Sequence, residues 1–336
     1  MSPVRFIIVG FGNIGSRHAG HIMANPAARL VAICDEDPAL QHKLPAGVDF
    51  YTNLNEMLHK ETADVICVCT PNYLHELHTI KGLEAGLHAV VEKPMALSVG
   101  ECDNMIMAAG KAGKTIFAVK QNRYNPPVQA VRKLLDSNEL GDIYMIQVNC
   151  FWNRSNAYYA ESNWRGKKDK DGGCLFTQFS HFIDILYYLN GTVTDTKGWL
   201  HNYAHRHNTE IEDTGSFVMK AENGAIVNFN FTTCAYDHNM EGSITIFAER
   251  GTVKIGGQYL NTIEYQQLQG AVLPHINITA KANDYGLYQG SMSNHDKMIQ
   301  NVIDVLHHDK PIMTTAWEGR EVVHIIEQMY AHAVKI

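Results

Sequence analysis

Val4-Arg5-Phe6-Ile7-Ile8-Val9-Gly10-Phe11-Gly12-Asn13-Ile14-Gly15 runs from a short apolar, β-branched stretch into a complete Gly-x-Gly-x-x-Gly. Ile14 to Met23 carries no proline, so a helix begins inside the motif. A second apolar run, Leu30 to Cys34, ends on Asp35. Strand, glycine loop, helix, second strand and terminal acid together predict a dinucleotide-binding βαβ unit. Gly10 makes the turn out of the strand and Gly15 lets the helix pack closely. Gly12 lets the backbone of Phe11, Gly12, Asn13 and Ile14 approach a pyrophosphate at the positive end of the helix. Asp35 accepts hydrogen bonds from ribose hydroxyls and repels a 2′-phosphate, which favours NAD over NADP.

With 336 residues, 45% of them hydrophobic and 19% charged, the chain has room for two domains of ordinary size. A formal net charge of −7 argues against nucleic acid as partner. No apolar stretch reaches membrane-spanning length, and the first apolar run is too short for a signal peptide. Seven cysteines, an odd number spread along the chain, suit a reducing, cytoplasmic setting. No metal is expected. Cys67 and Cys69 lie within an apolar strand, and the eighteen histidines lack ligand spacing. His205-Arg206-His207 reads as a surface loop.

Short apolar strands (Val65–Cys69, His88–Val91, Thr115–Val119) alternate with helical stretches (Leu74–Glu84, Ser98–Ala112). That rhythm predicts an α/β Rossmann domain over residues 1–122. After Pro126-Pro127 longer strands with period-two alternation follow. In one of them Val227, Phe229 and Phe231 oppose Asn228 and Asn230. Asn223-Gly224 and Glu249-Arg250-Gly251 read as hairpin turns. Residues 123–336 are therefore an α+β domain with a large, mostly antiparallel sheet, closed by helices at Asp296–His307 and Trp317–His332. Its strands around Phe229 and Phe231 read as apolar on both sides, which predicts a homodimer or homotetramer interface.

Polar clusters end three strands of the first domain, where a doubly wound sheet binds its ligands: Thr70-Pro71-Asn72, Glu92-Lys93-Pro94 and Lys120-Gln121-Asn122-Arg123. With the glycine loop, Cys-Thr-Pro-Asn-x-x-His (69–75) and Glu-Lys-Pro (92–94) resemble the glucose–fructose oxidoreductase/inositol dehydrogenase family. Lys120-Gln121-Asn122-Arg123-Tyr124-Asn125-Pro126, Trp164-Arg165-Gly166, Asp171-Gly172-Gly173, Glu212-Asp213-Thr214-Gly215 and Glu241-Gly242-Ser243-Ile244-Thr245 look like its nucleotide-sugar branch. That branch oxidises C3 of UDP-N-acetylglucosaminuronic acid or UDP-N-acetylglucosamine for surface-polysaccharide synthesis.

The resemblance implies roles. Lys93 polarises the reacting hydroxyl beside the nicotinamide, and His181 accepts its proton. Thr70, Pro71, Asn72, His75, Glu92, Gln121, Trp164 and Arg165 join the glycine loop and Asp35 at the cofactor. Arg123, Tyr124, Asn125, Thr177 and Gln178 join Lys93 and His181 at the substrate, with Arg123 and Lys120 offsetting diphosphate charge. One departure stands out. Many relatives carry Asp or Asn four residues before the histidine, where this chain has Thr177. Other readings stay open: a free sugar or cyclitol substrate, an NAD-dependent glycosidase of the same family, and a redox sensor without catalysis. The sugar's C6 is either a carboxylate or a hydroxymethyl group.

Overall fold

The apolar runs become strands and the stretches between them helices, in a computed structural model that describes residues 2–270, 272–273, 282–284, 286 and 288–336. In order these are β1 (Val4–Val9), α1 (Asn13–Ala24), β2 (Ala28–Cys34), β3 (Asp49–Tyr51), α2 (Leu54–Lys60) and β4 (Val65–Val68). Then come α3 (His75–Glu84), β5 (His88–Val91), α4 (Val99–Ala112), β6 (Ile116–Ala118), α5 (Pro126–Asp136) and β7 (Ile143–Phe151). Short helices α6 (Asn156–Ala160), α7 (Lys168–Asp171) and α8 (Cys174–Thr177) lead into α9 (Ser180–Asn190). The strands β8 (Val193–His201), β9 (Thr214–Ala221), β10 (Ile226–Thr232), β11 (Glu241–Ala248), β12 (Gly251–Gly256) and β13 (Thr262–Leu268) follow. Last are β14 (Ala282–Asp284), β15 (Gln289–Met292), α10 (His295–His308), α11 (Ala316–Ala331) and β16 (Ala333–Lys335).

Two units form. The first takes Met1–Lys120 and His295–Val323, the second Gln121–Asn294 and His324–Ile336. In the first, six parallel strands run in the order β3-β2-β1-β4-β5-β6. The order reverses direction beside β1, which opens a crevice at the carboxyl ends of β1 and β4. Its core is the β-branched content of those strands: Ile8, Ile33, Val65, Ile66 and Val90 are fully buried. Capping fixes α4 at both ends, with Ser98 accepting from the Glu101 N–H at 3.2 Å and Gly113 left-handed at φ 60°.

The sequence reading assigned all of 123–336 to the second domain, but 295–323 belongs to the first. Apolar periodicity marks α10 as amphipathic without saying what its Met298, Ile299 and Val302 face packs on. Here α10 meets α1, where Asn25 donates to Gln300 at 2.9 Å, and Arg320 of α11 pairs with Asp103 of α4 at 2.7 Å.

The second unit holds an eight-stranded sheet in the order β13-β12-β11-β7-β10-β9-β8-β16. It is antiparallel except that β10 runs parallel to β7 and β16 parallel to β8. Both expected hairpins are present, β9–β10 through Gly224 at φ 91° and β11–β12. Val227, Phe229 and Phe231 all point into the core, where the Phe231 ring meets Phe179 at 4.9 Å. The expectation of apolar character on both sides at Phe229 and Phe231 is corrected accordingly. Their neighbours Asn228 and Asn230 lie on the outer face, and Ser216 donates to Asn230 there at 2.7 Å. Exposed apolar groups on that face include Trp199, Val218, Phe247 and Tyr265.

Candidate active site

In the first unit the glycine loop has the shape its sequence requires. Gly10 is left-handed at φ 89°, and a Cβ there would come within 2.7 Å of the Cys69 carbonyl. A Cβ on Gly15 would lie 2.0 Å from the Gly10 oxygen, so α1 starts pressed onto the turn. A Cβ on Gly12 would meet nothing within 4 Å, which leaves space in front of the helix. No side chain caps α1 and its first turn carries no acid. Its N–H groups suit an anion such as a pyrophosphate. Asp35 is fixed beside them: it accepts from the Phe11 N–H at 2.6 Å and from the Asp37 N–H at 3.0 Å. These features fit a dinucleotide.

The ends of β4 and β5 are tied together. His75 Nε2 lies 2.9 Å from the Thr70 carbonyl and its Nδ1 2.7 Å from the Pro94 carbonyl. Thr70 Oγ1 meets His78 Nδ1 at 3.1 Å, and Asn72 is buried. Glu92, expected at the cofactor, is buried and its bonds are internal. Its Oε1 accepts from His18 Nε2 at 2.8 Å and its Oε2 from the Lys93 N–H at 3.1 Å, while His295 Nε2 lies 3.5 Å away. Burial would raise this carboxyl, but the bond from His18 and the nearness of His295 overcome it and hold it well below the usual carboxylate range. Lys93 is half-buried at the end of β5.

In the second unit His181 lies in the first turn of α9 and is 5% exposed. In the residues just before it, Gln178 Oε1 and Ser180 Oγ are buried polar atoms with no partner among the described residues. Native interiors rarely tolerate this without a ligand or water. Gln178 donates to the Tyr158 hydroxyl at 3.1 Å. Thr177 donates to the carboxylate of buried Asp171, which also accepts from the Gly166 N–H at 2.5 Å. Arg165 lies over the Tyr158 ring, 4.4 Å from its centroid, and donates to the Tyr158 carbonyl at 3.2 Å. Trp164 and Tyr124 are half-buried, and Gln121 donates to Ser291 at 2.8 Å.

Two expected substrate residues serve the fold instead. Arg123 is fully buried, pairs with Asp184 at 2.8 Å and covers the Tyr188 ring, so its charge is already neutralised. Asn125 donates to the Tyr259 carbonyl at 3.0 Å and accepts from Asn294 at 2.8 Å. His205 is also corrected. It is buried rather than on a surface loop, donating to Asp213 at 3.1 Å and to the Arg154 carbonyl at 2.8 Å. Burial opposes its charge, yet Asp213 prevails and its pKa is pushed up to about 9. Sequence reasoning gave Glu212 no role. It accepts from the Cys174 N–H at 2.9 Å and the Tyr330 hydroxyl at 2.6 Å, and burial raises its pKa to about 7. Among the described residues, two groups bring metal-type ligand atoms within 4.8 Å: His18, Glu92 and His295, and His205, Asp213 and Cys234. In the second, both nitrogens of His205 are already committed as donors.

Residues 4–120 match the oxidoreductase family with an NAD-binding Rossmann fold, and residues 128–254 match the GFO/IDH/MocA C-terminal domain. The chain belongs to the GFO/IDH/MocA oxidoreductase family, and its first unit is an NAD-binding Rossmann domain. Among solved structures it is similar to the WlbA dehydrogenase from Bordetella pertussis in complex with NADH and UDP-GlcNAcA. The two are 34% identical, with 98% of this chain and 96% of that one covered and a TM-score of 0.87. A 1-carboxy-3-chloro-3,4-dihydroxycyclohexa-1,5-diene dehydrogenase of Comamonas testosteroni is 26% identical, over 71% of this chain and 60% of its own length. D-glucoside 3-dehydrogenase of Escherichia coli is 29% identical, over 56% of this chain and 55% of its own.

Proposed function

We propose that this protein is an NAD-dependent dehydrogenase that oxidises the C3 hydroxyl of a UDP-N-acetylamino sugar. UDP-N-acetylglucosaminuronic acid is the first candidate and UDP-N-acetylglucosamine the second. The observation that carries this reading is the likeness to the Bordetella WlbA dehydrogenase over 98% of the chain. Bound NAD supplies the hydride acceptor. Lys93 polarises the hydroxyl through its ammonium, and His181 takes the hydroxyl proton on a neutral imidazole while the C3–H leaves as hydride and the C3–O bond becomes a carbonyl. The orphaned Gln178 Oε1 and Ser180 Oγ, in the residues preceding His181, are suited to sugar hydroxyls. Thr70, Pro71, Asn72, Gln121, Trp164 and Arg165 remain assigned to the cofactor, and Tyr124 and Thr177 to the sugar.

The 3-keto product serves surface-polysaccharide synthesis, in the cytoplasm, where the seven free thiols stay reduced. The working form is a homo-oligomer joined through the outer face of the eight-stranded sheet. A free sugar as substrate is the second reading, favoured by the likeness to D-glucoside 3-dehydrogenase. The test is reduction of NAD followed by absorbance with each UDP-sugar and with free glucosides. A keto acid such as 2-oxoglutarate is added to reveal turnover of tightly held cofactor. Reduction with glucosides and none with UDP-sugars overturns the first reading.

A further inference from the structure

The backbone on either side of Lys93 is held by a different buried histidine. On the N-terminal side, Glu92 receives His18 Nε2 on one oxygen at 2.8 Å and the Lys93 N–H on the other at 3.1 Å. On the C-terminal side, the Pro94 carbonyl meets His75 Nδ1 at 2.7 Å. Each carbonyl only accepts, and burial lowers the His75 pKa and so favours the neutral ring, so the ring holds whichever of the Pro94 and Thr70 carbonyls faces its one N–H. His18 is fully buried and His75 is 1% exposed, so water does not compete for either bond. Both histidines also belong to the cofactor-binding elements. His18 lies on α1, behind the glycine loop, and the second nitrogen of His75 faces the Thr70 carbonyl at the end of β4.

We infer that His18 and His75 are positioning residues for the reaction, clamping the Glu92–Pro94 backbone so that Lys93 keeps a fixed place relative to the dinucleotide loop. The inference rests on the proposed role of Lys93. A half-buried lysine on a four-carbon stem has many rotamers, and its ammonium is effective only if its root does not move. Fixing that root from two cofactor-binding helices links the reacting group to the cofactor's own anchor. His18 thereby gains a part in catalysis although its side chain is turned away from solvent toward Glu92.

The test uses His18→Leu, His18→Gln and Lys93→Ala in the full-length protein, with NAD and UDP-N-acetylglucosaminuronic acid as probes. Glutamine can place an amide N–H where His18 Nε2 stands, and leucine cannot. Misplacement by about 1 Å costs on the order of a hundredfold in rate. His18→Leu is therefore expected to slow single-turnover hydride transfer about 10- to 100-fold, with NAD affinity changed less than about threefold. His18→Gln should recover most of the loss. A His18→Leu enzyme at wild-type rate overturns the inference, as does a His18→Gln enzyme as slow as His18→Leu, or a loss that follows NAD affinity. If Lys93→Ala keeps its rate, the role of Lys93 falls instead. Should His18→Leu not fold or the sugar not turn over, acetic anhydride labelling of Lys93, read by mass spectrometry against exposed Lys60, decides. His18→Gln should match the wild-type ratio, and Glu92→Gln, which loses one of the two carboxylate bonds, should change it. Equal ratios in all three proteins overturn the clamp.

Discussion

The Thr177 hydroxyl donates to the Asp171 carboxylate, so a buried acid reaches the side chain four residues before His181 although that residue is not itself acidic. Where the family resemblance leads one to expect a carboxylate or amide, this chain has a hydroxyl backed by a carboxylate from the end of α7. Thr177→Val keeps the shape and deletes the donor. It is expected to destabilise the fold by about 1–3 kcal/mol, since a buried acceptor loses one of its bonds. Denaturant unfolding reads this, and unchanged stability would contradict it.

Asp35 is expected to set cofactor choice. Its carboxylate, oriented by the Phe11 and Asp37 N–H groups, is the group expected to meet the ribose hydroxyls of NAD and to repel the phosphate of NADP. Asp35→Ala should cost about 1–3 kcal/mol of NAD affinity, as for lost charge-assisted hydrogen bonds. Calorimetric titration measures this, and NADP binding as tight as NAD in the unaltered protein would refute the assignment.

Arg123 should matter to folding and not to phosphate recognition. Removing one partner of a buried ion pair leaves an uncompensated charge, so Arg123→Ala is expected to lose about 3–5 kcal/mol. A thermal melt close to wild type, with UDP-sugar binding weakened, would instead make Arg123 a diphosphate ligand.

First-unit strands were legible because β-branched runs such as Val65–Val68 have few other uses, and the glycine loop because Gly10 and Gly15 answer steric demands. The hairpin at Asn223-Gly224 was legible for the same reason. Arg123 and Asn125 misled because a polar cluster after a strand looks alike whether it meets a ligand or a distant carboxylate. Asp184, 61 residues away, decides which. Glu92 was hidden similarly, since its partner His18 is 74 residues upstream. Helices α6 to α8 are too short for any period to show. They nevertheless carry Asp171 and Thr177, the surroundings of His181.

Glu212 predicts a pH dependence of stability. Burial raises its folded pKa to about 7, above the value of an unfolded glutamate, so between those values the native state holds a proton that the unfolded chain has lost. The contribution is full below the unfolded pKa and is lost as pH rises toward 7. Wild type should therefore lose stability relative to Glu212→Gln, by about 1–3 kcal/mol, between pH 4.5 and 7.5. Parallel pH profiles for the two proteins would contradict the assignment.

The central claim is that His181 accepts the proton as hydride leaves the sugar. Single-turnover hydride transfer from UDP-N-acetylglucosaminuronic acid to NAD, compared between wild type and His181→Asn, tests it most directly. General-base catalysis is worth about 10²–10⁴-fold, and the variant should slow by that range while NAD affinity stays unchanged. A His181→Asn enzyme with near wild-type hydride transfer would show that the histidine is merely packed between Phe179 and Phe182, and the proposed division of labour with Lys93 would be wrong.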